Sequence, residues 1–253
     1  LIGVFDSGVG GLSILKALRR ELPAHDFTYF ADTGYAPYGG QGDAYIIDRS
    51  RAVARTLVED HGAQVLVIAC NTATAAAVHV LRQDYPQLPI IGVEPALKPA
   101  AALTRTGRVG VMATRFTVGS AKFLSLLDTL KGQAEFVLQP CDGLVDAIEA
   151  HDGARIAQLC EQYTRAMGSF GTAPGRIDTL VLGCTHYIFA KDVLVPLVGA
   201  GVTILETGEP VARQTRRILE SSSLLRCEGR GRVYLLTTGS SPALQGESQR
   251  RLC

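Results

Sequence analysis

Short apolar runs alternate with longer amphipathic stretches along the whole chain. "LIGVFD" is a continuous apolar run, and "GLSILKALRREL" follows it with Leu12, Leu15, Leu18 and Leu22 near helical spacing. "DFTYFA" predicts a second strand, closed by the turn-rich "DTGYAPYGGQGD". Asp43 is placed to cap a helix reaching about His61. "AQVLVIAC" then predicts a strand, "NTATAAAVHVLRQDY" a helix and "PIIGVE" a strand. The pattern restarts with strands at "RVGVMAT", "EFVLQPC", "DTLVLGC" and "VTILE". Helices are predicted at "SAKFLSLLDTL", "GLVDAIEAH", "ARIAQLCEQYTRAM", after "THY", and at "EPVARQTRRILESS". Strands that read as unbroken Val/Ile/Leu runs are buried on both faces, which is the signature of parallel sheets covered by helices. The expected class is α/β.

The two halves echo each other. "GVFDSGVGGLS" starts at Gly3 and "GVMATRFTVGS" at Gly110, and each half later ends a strand on a cysteine, Cys70 or Cys184. This weak repeat predicts two pseudo-symmetric lobes, each with a mostly parallel sheet. The expected boundary lies near Pro95–Pro99, giving a first lobe of residues 1–96 plus 207–253 and a second of 97–206.

Composition adds little to this picture and removes several alternatives. The chain has 253 residues, enough to bury a sizeable core without staples. A net charge of +1 gives no footprint for nucleic acid or an anionic membrane. No apolar run approaches the roughly 20 residues of a membrane helix. The arginines of "RQTRRIL" and "RCEGRGR" read as a solvated surface. The opening residues show no basic segment ahead of an apolar one, so no secretory leader is expected. Six cysteines without a C-x-x-C pair argue against a disulfide framework or zinc ribbon and fit a reducing cytoplasm. Cys141 and Cys160 read as buried packing, and Cys253 carries no information.

In open parallel sheets, ligands bind beyond the carboxyl ends of strands. The polar residues expected there are Asp6, Ser7, Tyr38, Gly39, Cys70, Asn71, Thr72, Thr114, Thr117, Cys184, Thr185 and His186. Backbone N–H groups at helix starts can hold a carboxylate without an arginine. Both cysteines are expected where a strand hands over to a helix, a position that favours the thiolate. A thiolate on one side of a carbon and a thiol on the other make a base and an acid, which inverts a stereocentre. Asp6 is either a helper of one thiol or a turn and helix cap. His186 is either a helper of Cys184 or a polar residue satisfied in a tight turn. "SGVGGLS" resembles a dinucleotide loop with Asp32 at about the right distance, but Ser13 stands where its third glycine belongs. Cys184 and His186 lack a second pair at zinc spacing.

The motifs "FDSGVGG", "PYG", "ACNTA" and "GCTHY", in this order and spacing, resemble the bacterial glutamate racemase family of the cofactor-independent amino-acid racemases. The resemblance spans essentially the whole chain. It implies two α/β lobes with the active site in the cleft between them, and a C-terminal segment that completes the first lobe. It also implies interconversion of L- and D-glutamate without pyridoxal phosphate or metal, supply of D-glutamate for peptidoglycan, and a homodimer. By the motif match, Cys70 resembles the thiol that deprotonates D-glutamate and Cys184 the one that deprotonates L-glutamate. Asp6 and His186 resemble their helpers, and Glu149 resembles a further acid near the second thiol. Substrate contacts map onto Asp6, Ser7, Tyr38, Gly39, Asn71, Thr72, Thr114, Thr117, Thr185 and His186. The chain departs from the family pattern at Ile188, where proline is usual, and at Glu206-Thr207, where an aspartate is usual. Aspartate racemase, a non-catalytic amino-acid-binding protein and a thiol redox enzyme are the alternatives.

Overall fold

The computed structural model describes residues 1–252, apart from the side chain of Ala243; Cys253, given no role from sequence, lies outside them. The strands are β1 (Ile2–Asp6), β2 (Phe27–Ala31), β3 (Val65–Ile68), β4 (Ile90–Gly92), β5 (Arg108–Ala113), β6 (Glu135–Pro140), β7 (Thr179–Leu182), β8 (Thr203–Leu205) and β9 (Val233–Thr237). The helices are α1 (Leu12–Glu21), α2 (Asp43–Arg55), α3 (Asn71–Asp84), α4 (Leu97–Leu103), α5 (Arg115–Gly119), α6 (Ala121–Asp128), α7 (Leu144–Glu149), α8 (Gly153–Met167), α9 (Lys191–Val198), α10 (Gly208–Ser221) and α11 (Ser241–Leu252). Among the described residues no helix is long and apolar enough to cross a membrane.

The chain divides into two compact units. One comprises Leu1–Val93 and the chain from Gly208 on; the other is Glu94–Thr207. The first holds a parallel sheet in the order β4-β3-β1-β2-β9. The second holds a parallel sheet in the order β6-β5-β7-β8. Setting β5 to β8 beside β1 to β4 shows one shared order, 4-3-1-2, to which the first unit adds β9 at the edge. The weak repeat in the sequence is therefore a repeat of topology.

In the first unit, Ile2 and Val4 of β1 join Tyr29, Val65 and Val67 in one apolar layer with α1 and α10. Helix α1 buries Leu12, Ile14, Leu15 and Leu18 there. Each such side chain contributes about 1.5–3 kcal/mol on burial. Arg19 and Arg20 lie in its last turn, where the helix dipole favours cations, and Pro23 stops it. The other face of β1 carries Gly3, where an added Cβ would stand 3.1 Å from Ala63 and 3.3 Å from Leu57. In the second unit, alternate strand residues face two layers. Met112, Leu180 and Leu182 pack with α7, α8 and α9, while Val109, Val111 and Val181 pack with α4 and α6. Both faces are thus covered, as unbroken apolar runs require.

Helix α4 begins inside the Pro95–Pro99 segment expected as the boundary, and the units part at Val93 and Thr207. The last segment forms β9 beside β2, followed by α11. Glu206 and Thr207 end the second unit immediately before α10. The arginines Arg213, Arg216 and Arg217 of α10 are exposed.

A buried histidine ties the returning segment down. His25 Nε2 accepts the N–H of Arg226 at 3.0 Å. Burial, with the nearby positive charge of Arg226, pushes its pKa below the ordinary 6.5. The unfolded chain therefore binds the His25 proton more readily than the folded one. The contribution of neutral His25 is complete above about pH 6.5 and is lost as pH falls through its lowered folded value. Thermal melts between pH 8 and pH 5 are expected to show the native chain losing more stability than a His25→Gln variant. Parallel losses in the two would contradict this.

Candidate active site

The shared strand order fixes where chemistry can sit. After β2 the chain crosses to the other side of β1 to form β3, so the sheet's topological switch point lies between β1 and β3. The equivalent point in the second unit lies between β5 and β7. Such crevices at the carboxyl ends of strands are where open α/β sheets bind ligands. Asp6-Ser7 and Cys70-Asn71 leave the first switch point; Thr114 and Cys184 leave the second.

At the first, Cys70 is the N-cap of α3, and its sulfur accepts the N–H of Ala73 at 3.4 Å. Ser7 Oγ shares a hydrogen bond with the same sulfur at 3.6 Å. An N–H from a helix start and the helix dipole both stabilise negative charge on the thiol. Asn71 and Thr72 are buried in the first turn. Asn71 Nδ2 donates to Val93 O at 3.5 Å, while its Oδ1 is buried without a hydrogen-bond partner.

Asp6 is fully buried, and its Oδ2 accepts the N–H groups of Gly8 and Gly11 at 3.1 and 3.0 Å. This carboxylate oxygen shapes the loop into α1, the turn role weighed from sequence. Tyr29 donates to Gly8 O at 2.8 Å and fixes the same loop. The last glycine of "SGVGG" follows from this: a Cβ on Gly11 would stand 2.6 Å from Asp6 Cβ.

At the second switch point the expectation of matched cysteines needs correcting. Cys184 does not cap an α-helix. The chain continues through a 3₁₀ turn, Tyr187–Ala190, which contains Ile188, and α9 begins only at Lys191. The α-helix start that serves Cys70 has no counterpart at Cys184. A side chain stands in its place: His186 Nδ1 is 3.8 Å from Cys184 Sγ, and its Nε2 is 2.6 Å from Glu149 Oε1. Glu149 ends α7, whose cluster with α8 and the 3₁₀ turn encloses Cys184. Just before the cysteine, Gly183 permits close approach to β5, because a Cβ there would meet Met112 O and Ala113 Cβ at 3.0 Å. Thr114 caps α5: its Oγ1 accepts the N–H of Thr117 at 3.2 Å and lies 2.9 Å from Thr117 Oγ1. Thr185 is buried beside Cys184. Cys141 and Cys160 are buried in the same core; burial pushes Cys160 up to about 11 and Cys141 higher still.

Tyr38 and Gly39 lie in a 3₁₀ turn, Tyr38–Gly40, that packs against α3. Tyr38 is buried and donates to Asp32 Oδ2 at 2.5 Å. Asp32, also fully buried, receives Arg49 through Nε at 3.0 Å and Nη2 at 2.9 Å, and Thr238 Oγ1 at 2.8 Å. An acid committed to four internal bonds is not a ribose ligand, which closes the dinucleotide reading. Sequence reasoning missed this cluster. Its visible trace is that "ADTG" and "LTTG" both follow strand residues with Thr-Gly.

Each of the two units is an α/β unit with a parallel sheet and a cysteine at its switch point. The chain belongs to the Asp/Glu/hydantoin racemase family, whose sequence model matches residues 2–215. Within it, the similarity runs to glutamate racemases. That of Pseudomonas paraeruginosa (strain DSM 24068 / PA7) is 49% identical over 226 residues, covering 88% of this chain and 83% of the relative. The solved glutamate racemase isoform of Bacillus anthracis superposes with a TM-score of 0.86 at 30% identity, covering 100% of this chain and 93% of that one. The Escherichia coli glutamate racemase, solved with L-glutamate and the activator UDP-MurNAc-ala, gives 0.85 at 30% identity, covering 99% and 94%.

Proposed function

We propose that this isomerase interconverts L- and D-glutamate with Cys70 and Cys184 as its two acid–base groups. The observation that carries the reading is that each switch point presents one buried cysteine with its own means of handling charge. Cys70 has Ser7 and the start of α3; Cys184 has His186 and Glu149. From D-glutamate, the Cys70 thiolate takes the Cα proton and becomes a thiol. The electron pair stays on the substrate, delocalised into its carboxylate. The Cys184 thiol then gives a proton to the opposite face and becomes the thiolate, leaving L-glutamate. The reverse reaction exchanges the roles. Pre-placed donors that meet the developing charge lower the barrier. Asn71 Oδ1, a buried acceptor left open, is suited to an N–H of the substrate ammonium. Asp6, Ser7, Tyr38, Gly39, Thr72, Thr114, Thr117, Thr185 and His186 supply the remaining contacts in this reading. The product serves peptidoglycan synthesis in the cytoplasm, and the enzyme acts as a homodimer.

The test uses purified protein without added cofactor, incubated in heavy water with L-glutamate, D-glutamate or L-aspartate. Loss of optical rotation with deuterium at Cα is expected for both glutamates. The same result with aspartate alone would keep the chemistry and change the substrate, since one methylene is worth only about 1–3 kcal/mol in a pocket. No exchange with any of the three would overturn the proposal.

A further inference from the structure

The parallel strands β2 and β9 leave their sheet side by side, with Ala31 paired to Thr237. Their exits, Asp32-Thr33-Gly34 and Thr237-Thr238-Gly239, interlock. Thr33 Oγ1 and Thr237 Oγ1 share a hydrogen bond at 2.8 Å, and Gly34 N donates to Thr238 Oγ1 at 3.1 Å. A Cβ on Gly34 would stand 2.8 Å from Thr238 O, and one on Gly239 would stand 2.3 Å from Thr33 Oγ1. Each turn admits the other only because both carry glycine.

The consequence reaches the first thiol. Thr238 Oγ1 donates to Asp32 Oδ1, and Asp32 Oδ2 receives the Tyr38 hydroxyl. The Tyr38 turn packs on α3, which Cys70 caps. Burial, the bond to Asp32 and the neighbouring Cys70 charge all push the Tyr38 hydroxyl well above its usual range, so it stays a donor. Arg49 grips the same carboxylate with two bonds while lying over the Tyr35 ring at 3.5 Å. Of the four bonds on Asp32, only that of Thr238 comes from the far end of the chain.

We propose that Thr238 is a positioning residue for the Cys70 half of the reaction, acting through Asp32 and Tyr38. It sets the direction of the Asp32 carboxylate, and through it the turn that borders the thiol. A displacement of about 1 Å at a reacting group can cost about 10²-fold in rate, so a softened support costs a fraction of that. This inference rests on the two-thiol reading above.

The test separates the two thiols by isotope effects. The enantiomers are equally stable, so kcat/KM must fall equally in both directions whichever step is slowed. A primary isotope effect does distinguish them. If removal of the proton from D-glutamate by Cys70 is slowed, the effect rises with Cα-deuterated D-glutamate and falls with deuterated L-glutamate. Thr238→Val, which keeps the shape and removes the hydroxyl, is expected to lower kcat/KM about tenfold with this one-sided change. Thr238→Ser is expected to restore both. Tyr38→Phe cuts the same chain at its other end, so it must show the same one-sided change even where Thr238→Val does not fold. The double variant is expected to be little worse than the more impaired single one, because both cut one path. A lower melting temperature with native isotope effects would reduce Thr238 to a docking contact and overturn the proposal. Cys70→Ser serves as the control. A one-sided effect there with none in Thr238→Val or Tyr38→Phe removes only the positioning role. Absence of the effect in Cys70→Ser removes the two-thiol reading and the positioning role together.

Discussion

Serine at position 70 is expected to lower kcat/KM about 10³-fold or more and to raise the isotope effect for deuterated D-glutamate alone. Serine at position 184 is expected to cost as much with the opposite sense, raising the effect for deuterated L-glutamate. The argument is one of acidity. A thiol titrates near 8.5 and reaches its anion at neutral pH with help from a few donors. An alcohol is too weak an acid for the N–H of Ala73 or the imidazole of His186 to achieve this. The donors that remain in Cys70→Ser still bind substrate, so KM is expected to change far less than kcat. Both cysteines are small and buried, so melting curves provide the control for folding. Near-native turnover in both variants would sink the two-thiol mechanism. Isotope effects that rise for both enantiomers in one variant would leave the chemistry standing and undo the assignment of faces.

The features legible from sequence are those that local composition dictates. Val/Ile/Leu runs bounded by glycine read directly as buried parallel strands, and the two cysteines stand out because each ends such a run. Where packing decides instead, the pattern is silent. β9 is an edge strand whose Tyr234 is 46% exposed; "VYLLT" is a short apolar run, but nothing in it tells that it returns to pair with β2. α4 is an alanine-rich helix with Pro99 in its first turn, and α5 is five residues long. α11 carries Gly246 and only a weak apolar stripe. The site divides in the same way. Neighbours in sequence, Cys184 and His186 or Cys70 and Asn71, announce themselves. Glu149 is 37 residues from His186, and Thr238 is 206 from Asp32, so only the fold brings them together. The matched treatment of the two cysteines failed for a physical reason. Strand-to-turn handovers look alike in composition, but one begins an α-helix and the other a 3₁₀ turn.

That asymmetry puts an imidazole beside Cys184 where Cys70 has the start of α3, and His186 is expected to matter to its own thiol. With Nε2 held 2.6 Å from the Glu149 carboxylate, the ring proton belongs on Nε2, and the Nδ1 lone pair faces Cys184 Sγ. Nδ1 can then accept the thiol proton, and the carboxylate stabilises the imidazolium that results, as a paired acid does for an imidazole base. His186→Asn keeps a polar group of moderate size in this buried place and removes the base. It is expected to lower kcat/KM about 10²-fold and to raise the isotope effect with deuterated L-glutamate only. Glu149→Gln keeps the shape but offers an N–H to Nε2 in one of its orientations, which drives the ring proton to Nδ1 and against the sulfur. It is expected to shift the same isotope effect in the same sense, with a loss of about tenfold. Both substitutions lie beside Cys184, so the isotope effect with deuterated D-glutamate is not expected to rise in either variant. A rise in the isotope effect with deuterated D-glutamate in His186→Asn would show the imidazole serving the other thiol and would refute the pairing drawn from the geometry.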